Sequence, residues 1–494
     1  MVFNSIDFLC FFPIVTLIYF IIPKRFRYIW LLLSSYYFYM CWNAKYAVLI
    51  AISTVVTYLV ALLVEKQQQK KKAKLYMVFG FVINLGILFF FKYFNFTLAN
   101  LNKILSIMHI RSVNNPFSLL LPVGISFYTF QALGYMIDVY RGECKAERNL
   151  LKYALFVSFF PQLVAGPIER SKNLLGQIEK STKESRFSLE RLSSGFAMMV
   201  FGMFMKMVIA DRVSLFVDRI FLNTIFIGSI EAIAGAVGFA VQIYCDFGGY
   251  SAIAIGAARI MGFDLMENFN TPYLSASIAE FWRRWHISLS TWFKDYVYIP
   301  LGGSRCSKLK KYRNLMITFL VSGLWHGASW TYVIWGAIHG IYQVVSDICK
   351  PLKERLVKAL KIRTEVFSFK FFKIATTFIL TDFAWIFFRA GSIGEAFGYI
   401  KALFTRWNPW VIFDESIFSY GLDRREMGIL LAAVLILIIV DFIRNKTGKN
   451  IGEWLWSQNL LFRWAIYIVL VAAVLVYGEY GIDFNSAQFI YFAF

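Results

Sequence analysis

Apolar runs separated by short polar breaks recur along the whole chain. Many approach the roughly twenty residues that carry a helix across a bilayer. They predict spans at 7–22, 29–42, 47–64, 75–95 and 119–140, long helices at 194–222 and 226–262, and a hairpin at 315–349. Three further spans follow at 374–388, 428–443 and 464–479. Residues 96–116 read as a polar excursion and 168–193 as a polar loop. Runs of this length in lipid predict helices, whose backbone polar groups are satisfied internally.

Two segments depart from the simple span. LKYALFVSFFPQLVAGP (151–167) is apolar but broken by Pro161 and closed by Gly166-Pro167, with charged flanks. It predicts a re-entrant segment, tolerable only where other protein covers the freed backbone groups. SGLWHGASW (322–330) places His326 inside an apolar hairpin, although the chain has only four histidines. Counted from Arg313 at 1.5 Å per residue, His326 lies roughly 18 Å deep, near the bilayer midplane.

Composition agrees with the pattern: 59% of residues are hydrophobic and 16% charged, against roughly a quarter charged in soluble chains. One embedded domain over 1–494 is expected, with N-terminal helices to 150, a core over 151–350 and C-terminal helices from 351. The net charge of +21 does not change this reading, because its cations fall in short loops between spans. EKQQQKKKAK (65–74) has five lysines against one glutamate, and 350–373 has eight Lys/Arg against two Glu. That is the positive-inside pattern of cytoplasmic loops, and it excludes a nucleic-acid surface. No basic residue precedes the first apolar run, while Lys24, Arg25 and Arg27 follow it. The order is the reverse of a signal peptide and predicts a retained span with its N-terminus outside. Six cysteines show no C-x-x-C or metal spacing and read as free thiols.

Candidate chemistry lies in three places. IAEFWRRWHISLSTWFKDYVYIPLGGSR (278–305) interleaves Trp282, Trp285 and Trp292 with Arg283, Arg284 and Lys294. It predicts a helix in the interface plane, rings at headgroup level and cations outward. Such a rim would also attract an anionic donor or an acidic carrier protein, with His286 and Ser290 at the entry. Asp246 stands in an apolar helix beside Gly248 and Gly249 and must be paired or line a cavity; Arg259, Arg283 and Arg284 are candidate partners. His326 can take and return a proton near neutral pH, and Gly323, Gly327 and Ala328 leave room for a substrate beside it and Trp325. A helix-contact histidine is the alternative. His339 could face the same cavity. No metal pair, nucleophile elbow or phosphate loop occurs.

WRRWHISLSTWFKDYVYIPLGG followed about 20 residues later by LWHG resembles the membrane-bound O-acyltransferase family. LPVGISFYTFQALGYMIDVYRG, FFPQLVAGPIER, YCDFGGYSAIAIGAARIMGF, NFNTPYLSASIAEFW, DFAWIFFRA and the terminal FIYFAF agree, in the family's order. Within the family, the chain is most similar to the bacterial alginate O-acetylase and peptidoglycan O-acetyltransferase branch. The resemblance implies an all-α polytopic membrane protein of about eleven transmembrane helices plus re-entrant segments around a central tunnel, in the bacterial cytoplasmic membrane. It implies transfer of an acyl group, acetyl above all, from a cytoplasmic thioester (acetyl-CoA or an acyl carrier), with no permanently bound cofactor and no metal. His326 matches the family's catalytic histidine and His286 its second one. Asp246, Arg283, Arg284, Trp285, Trp325 and Ser290 are then candidates to bind donor or line the tunnel. An extracytoplasmic SGNH-type acyltransferase is the expected partner for delivery to a surface polysaccharide. D-alanyl transfer to teichoic acid from a carrier protein, a transporter or flippase without acyl chemistry, and a non-catalytic scaffold are the alternatives.

Overall fold

A computed structural model describes residues 1–115, 117, 121–164, 166–480 and 489–490. Its regular elements among these residues are helices. Among the described residues, seven helical stretches are long and apolar enough to cross a membrane: Lys24–Lys66, Lys70–Ile107, Leu189–Leu222, Ser229–Ile260, Phe367–Arg389, Arg424–Thr447 and Leu460–Tyr477, with Ile6–Ile21 a shorter apolar helix. The protein is therefore a multi-pass helical membrane protein, with seven such stretches among the described residues against the eleven spans expected. Besides the short first helix, three differences account for the gap. The 29–42 and 47–64 runs are arms of one helix, Arg27–Lys66, broken at Asn43 (φ −159°, ψ 110°). There the Asn43 side chain accepts from Lys45 N at 3.0 Å, a local bond that competes with the helical ladder. The helix Ile125–Tyr140 has 16 residues. The hairpin arms Lys308–His326 and Trp330–Ala359 are apolar over only part of their length. The polar excursion 96–116 is largely helix, Phe94–Ile107. Residues 119 and 120 of one predicted span, and FIYFAF from 491 on, lie outside the described residues.

The chain divides into two compact units: 1–196 and 254–266 with the described residues after 485, and 197–253 with 267–485. In the first unit, the Pro161 segment is broken as its sequence predicts. The helix Leu150–Ser158 stops at Phe159 and a four-residue helix, Phe160–Leu163, follows. Phe156, Val157, Phe159 and Phe160 are fully buried, so the interrupted ladder needs partners from the protein. It has them. Phe160 N donates to Ser35 Oγ at 3.0 Å, and Phe156 O accepts from Gln131 Nε2 (2.6 Å) and Gln162 Nε2 (2.8 Å). Gly166 is required here, since a Cβ would stand 2.3 Å from Gln162 Cα. Beyond the break, Glu169 is buried and accepts from Met266 N and from Asn173 Nδ2. Burial pushes its carboxyl up to about 7.

In the second unit, Gly202 and Gly249 let two helices touch backbone to backbone: a Cβ on Gly202 would meet Gly249 O at 2.5 Å. One turn on, the first of these helices passes through a π-helical stretch, Phe204–Ala210, a geometry frequent at functional sites. The close approach brings Lys206 between two carboxylates, 2.6 Å from Asp246 and 2.7 Å from Asp211, all three side chains buried. Asp246 thus pairs with Lys206, a partner outside the three arginines expected from sequence. In sequence, Lys206 is hidden within an apolar run forty residues away.

Candidate active site

The segment 278–305 is not one surface helix. It forms Ile278–Arg284, a bend at Trp285 and His286, then Ile287–Phe293 and a π-helical stretch, Lys294–Tyr298. Trp285 and Trp292 are buried within the protein rather than presented on a surface. Phe281 and Trp285 on one side of the bend, and Leu289, Trp292 and Phe293 on the other, are all buried. His286 sits at the bend in the left-handed region, φ 42° and ψ 54°, unusual for a residue with a Cβ. The surroundings hold it there. Ile287 N donates to Asn268 O (2.9 Å), Ser288 Oγ donates to Asn268 Oδ1 (2.6 Å), and Asn268 Nδ2 donates to Ser251 Oγ (3.0 Å). Ser290 Oγ donates to Trp285 O at 3.1 Å, so this candidate secures the bend's backbone.

The hairpin delivers the second histidine. His326 is the last residue of its first arm, and Ser329 caps the second by accepting from Thr331 N. The twelve residues from Asn314 to His326 rise about 18 Å along this arm. The small residues around His326 are filled space. A Cβ on Gly323 would meet Tyr332 O at 2.2 Å, one on Gly336 would meet Phe319 O at 2.3 Å, and one on Gly327 would enter the Tyr332 ring at 2.1 Å. The expectation that Gly323 and Gly327 provide substrate clearance is corrected: they let the two arms close on each other.

Bend and tip meet. The His286 and His326 ring centroids are 6.2 Å apart, and both side chains are buried. Around His326 stand Trp325 and Trp335 (each 5.0 Å, edge-on) and Phe388 (5.4 Å). Around His286 stand Phe247 (4.7 Å) and Trp325 (6.1 Å). Trp325 therefore bridges the two imidazoles. His339 lies deeper in the same aromatic cluster, with its Nδ1 accepting from Trp282 Nε1 at 3.2 Å, a packed histidine fixed by its neighbour. Trp285 stacks on Phe281 and contacts Trp385 at 5.0 Å. Arg283 is exposed, while Arg284 is held by Glu280 (2.8 Å), Thr271 Oγ1 (2.7 Å) and Asn445 Oδ1 (2.8 Å).

Two imidazoles in a water-poor aromatic enclosure can move a proton to and from a hydroxyl or thiol held between them. Among the described residues no group of three or more His, Cys, Asp or Glu could hold a metal ion. Sequence reading missed Asn268, Trp335 and Phe388. Asn268 carried a signal, as a polar residue in NFNTP just before the tryptophan-rich stretch.

Residues 147–378, which include the bend and the hairpin, match the model of the membrane-bound O-acyltransferase family. A probable alginate O-acetylase of Pseudomonas syringae pv. tomato is 39% identical over 91% of this chain and 85% of its own length. The chain belongs to the membrane-bound O-acyltransferase family. It is accordingly an acyltransferase, and the bend and hairpin tip lie in the matched region. The peptidoglycan O-acetyltransferase of Helicobacter pylori is 37% identical over 76% of this chain and 73% of its length. A teichoic acid D-alanyltransferase of Bacillus subtilis is 32% identical over 46% and 59%.

Proposed function

We propose that this membrane-bound O-acyltransferase moves an acetyl group from a cytoplasmic thioester, acetyl-CoA or an acyl carrier, for O-acetylation of a cell-surface or extracellular polysaccharide. The extent of similarity to polysaccharide-modifying relatives supports the acceptor class. The observation that carries the chemistry is the approach of His326 to His286 within a buried aromatic enclosure. His326 acts as general base. It takes the proton of an acceptor hydroxyl as the oxygen attacks the thioester carbonyl, the C–S bond breaks, and the thiolate leaves and recovers the proton. A hydroxyl ionises far above neutral pH, so a base placed at the attacking oxygen contributes about 10²–10⁴-fold. His286 orients the reacting groups beside it, and Trp325 and Trp285 wall the route to it. Arg283 offers an exposed cation to the donor. Asp246, locked to Lys206, holds the helix that carries Phe247 against His286.

In this reading the protein lies in a bacterial cytoplasmic membrane with its N-terminus outside, donor and acceptor reach His326 through a tunnel from opposite faces, and an extracytoplasmic SGNH-type acyltransferase completes delivery. The test is thiol release from a labelled acetyl thioester by purified protein in nanodiscs, with a polysaccharide acceptor present. His326→Ala at equal expression should lower release by about 10²–10⁴-fold. Unchanged release removes His326 from the reaction. Release from a D-alanyl carrier but not from an acetyl thioester replaces the donor assignment.

A further inference from the structure

The second unit holds a cavity of about 670 Å³ at the ends of several helices, with no histidine in its lining. Arg284, Lys350, Lys353, Lys358, Lys370 and Lys373 line it. Three glutamates share the lining, leaving a net charge of +3. Two of them are committed locally: Glu280 to Arg284 at 2.8 Å and Glu365 to Lys370 at 3.8 Å. Lys350, Lys353, Lys358 and Lys373 take part in none of the described ion pairs, although they converge from two helices on one cavity. Against them stands one remaining glutamate, Glu354, and the excess of like charge favours an anion that can face the lysines together.

The position narrows the anion. Lys370 and Lys373 occupy the first turns of Phe367–Arg389, a candidate span. Phe367, Phe371 and Phe372 on those same turns are 81%, 60% and 65% exposed. A cationic cavity beside outward phenylalanines at the start of a span suits a phosphate group whose attached chain runs along the helix.

We propose that this cavity is a phosphate-ester site at the membrane surface, filled by the headgroup of an anionic phospholipid. Neither imidazole lines the cavity, and the proposal does not rest on the acyl-transfer reading. A soluble nucleotide phosphate has the same charge chemistry, so the experiment separates the two sources. Full-length protein is reconstituted in nanodiscs of phosphatidylcholine with or without phosphatidylglycerol, and retained lipid is counted by native mass spectrometry. A second arm measures binding of adenosine 3′,5′-bisphosphate.

Wild-type protein should retain phosphatidylglycerol over phosphatidylcholine, with retention weakening as salt rises. A Lys350→Gln/Lys353→Gln/Lys358→Gln/Lys373→Gln variant should lose at least tenfold of that preference. The fourfold Lys→Arg variant should keep it, and so should His326→Ala, whose response separates this site from the reaction. Should the fourfold glutamine variant fail to fold, Lys353→Gln/Lys373→Gln gives the same comparison. Bisphosphate binding that the lysine variant loses, without lipid preference, would keep the phosphate site and assign it to a nucleotide. Equal lipid and bisphosphate binding by wild type and variant would overturn the proposal.

Discussion

Two interrupted apolar segments can be set side by side: the Pro161 break in the first unit and the hairpin tip at His326 in the second. Both are buried, and both use a glycine that tolerates no Cβ, Gly166 in one and Gly323 in the other. Their polar groups differ in kind. At the Pro161 break the freed groups are backbone, and Ser35, Gln131 and Gln162 satisfy them with side chains that do not titrate. At the tip the polar groups are imidazoles, set among the edges of Trp325, Trp335 and Phe388. A break closed by amides and a hydroxyl is inert to pH and suited to support. A break ringed by aromatic carbon around two bases is suited to proton transfer.

The comparison breaks most sharply at the tip. His326→Ala should lower acyl transfer by about 10²–10⁴-fold with little change in melting temperature, read as thiol release beside a thermal melt. A large loss of melting temperature instead would put the tip in the same supporting class as the Pro161 break. Next in size, Gly323→Val should force the hairpin arms apart at Tyr332 O, destabilising by about 1–3 kcal/mol or more; fluorescence-detected melting in detergent measures it. Ser35→Ala leaves Phe160 N buried without its acceptor and should destabilise by about 1–3 kcal/mol. Acyl transfer per folded molecule should stay at the wild-type level, because the break supports and does not react.

The smallest effect concerns Glu169, close after the Pro161 break. Its carboxyl is raised by burial from 4.5 to about 7, so the folded state holds its proton more tightly than the unfolded chain does. Its favourable contribution is complete below pH 4.5 and is lost as pH rises toward 7. Glu169→Gln should flatten the fall in melting temperature across that window. An identical slope in the variant would mean that the pH response comes from other groups.

Much of the fold was legible because its signals are long. Apolar runs act over many residues and Pro161 removes a backbone donor, and they survive into the structure as helices and a break, whereas the predicted loop 350–373 is largely helix. The partner of Asp246 was not legible, because a lysine inside an apolar run carries no mark of what lies across the helix interface. The tryptophan-rich segment misled for a related reason. Its alternation of rings and cations fits a surface helix, and nothing in the spacing announces the left-handed bend at His286, held by Asn268, or the protein that covers the rings. His326 stood out by composition alone. The glycines beside it were visible too, but whether they leave a gap or fill one depends on Tyr332 and Gly336 across the turn.

The first hairpin arm also works as a ruler. Its foot is fixed where buried Asn314 donates through Nδ2 to Gly303 O at 3.2 Å, and its head is His326, the last residue of the same helix. Nothing between them interrupts the helix, so the reach of the imidazole is counted out in residues. One residue inserted between Asn314 and Gly323 would lift His326 by about 1.5 Å and swing it by about 100°, away from His286. Ordinary side-chain substitutions along the arm leave that count intact, whereas a single-codon insertion or deletion changes it.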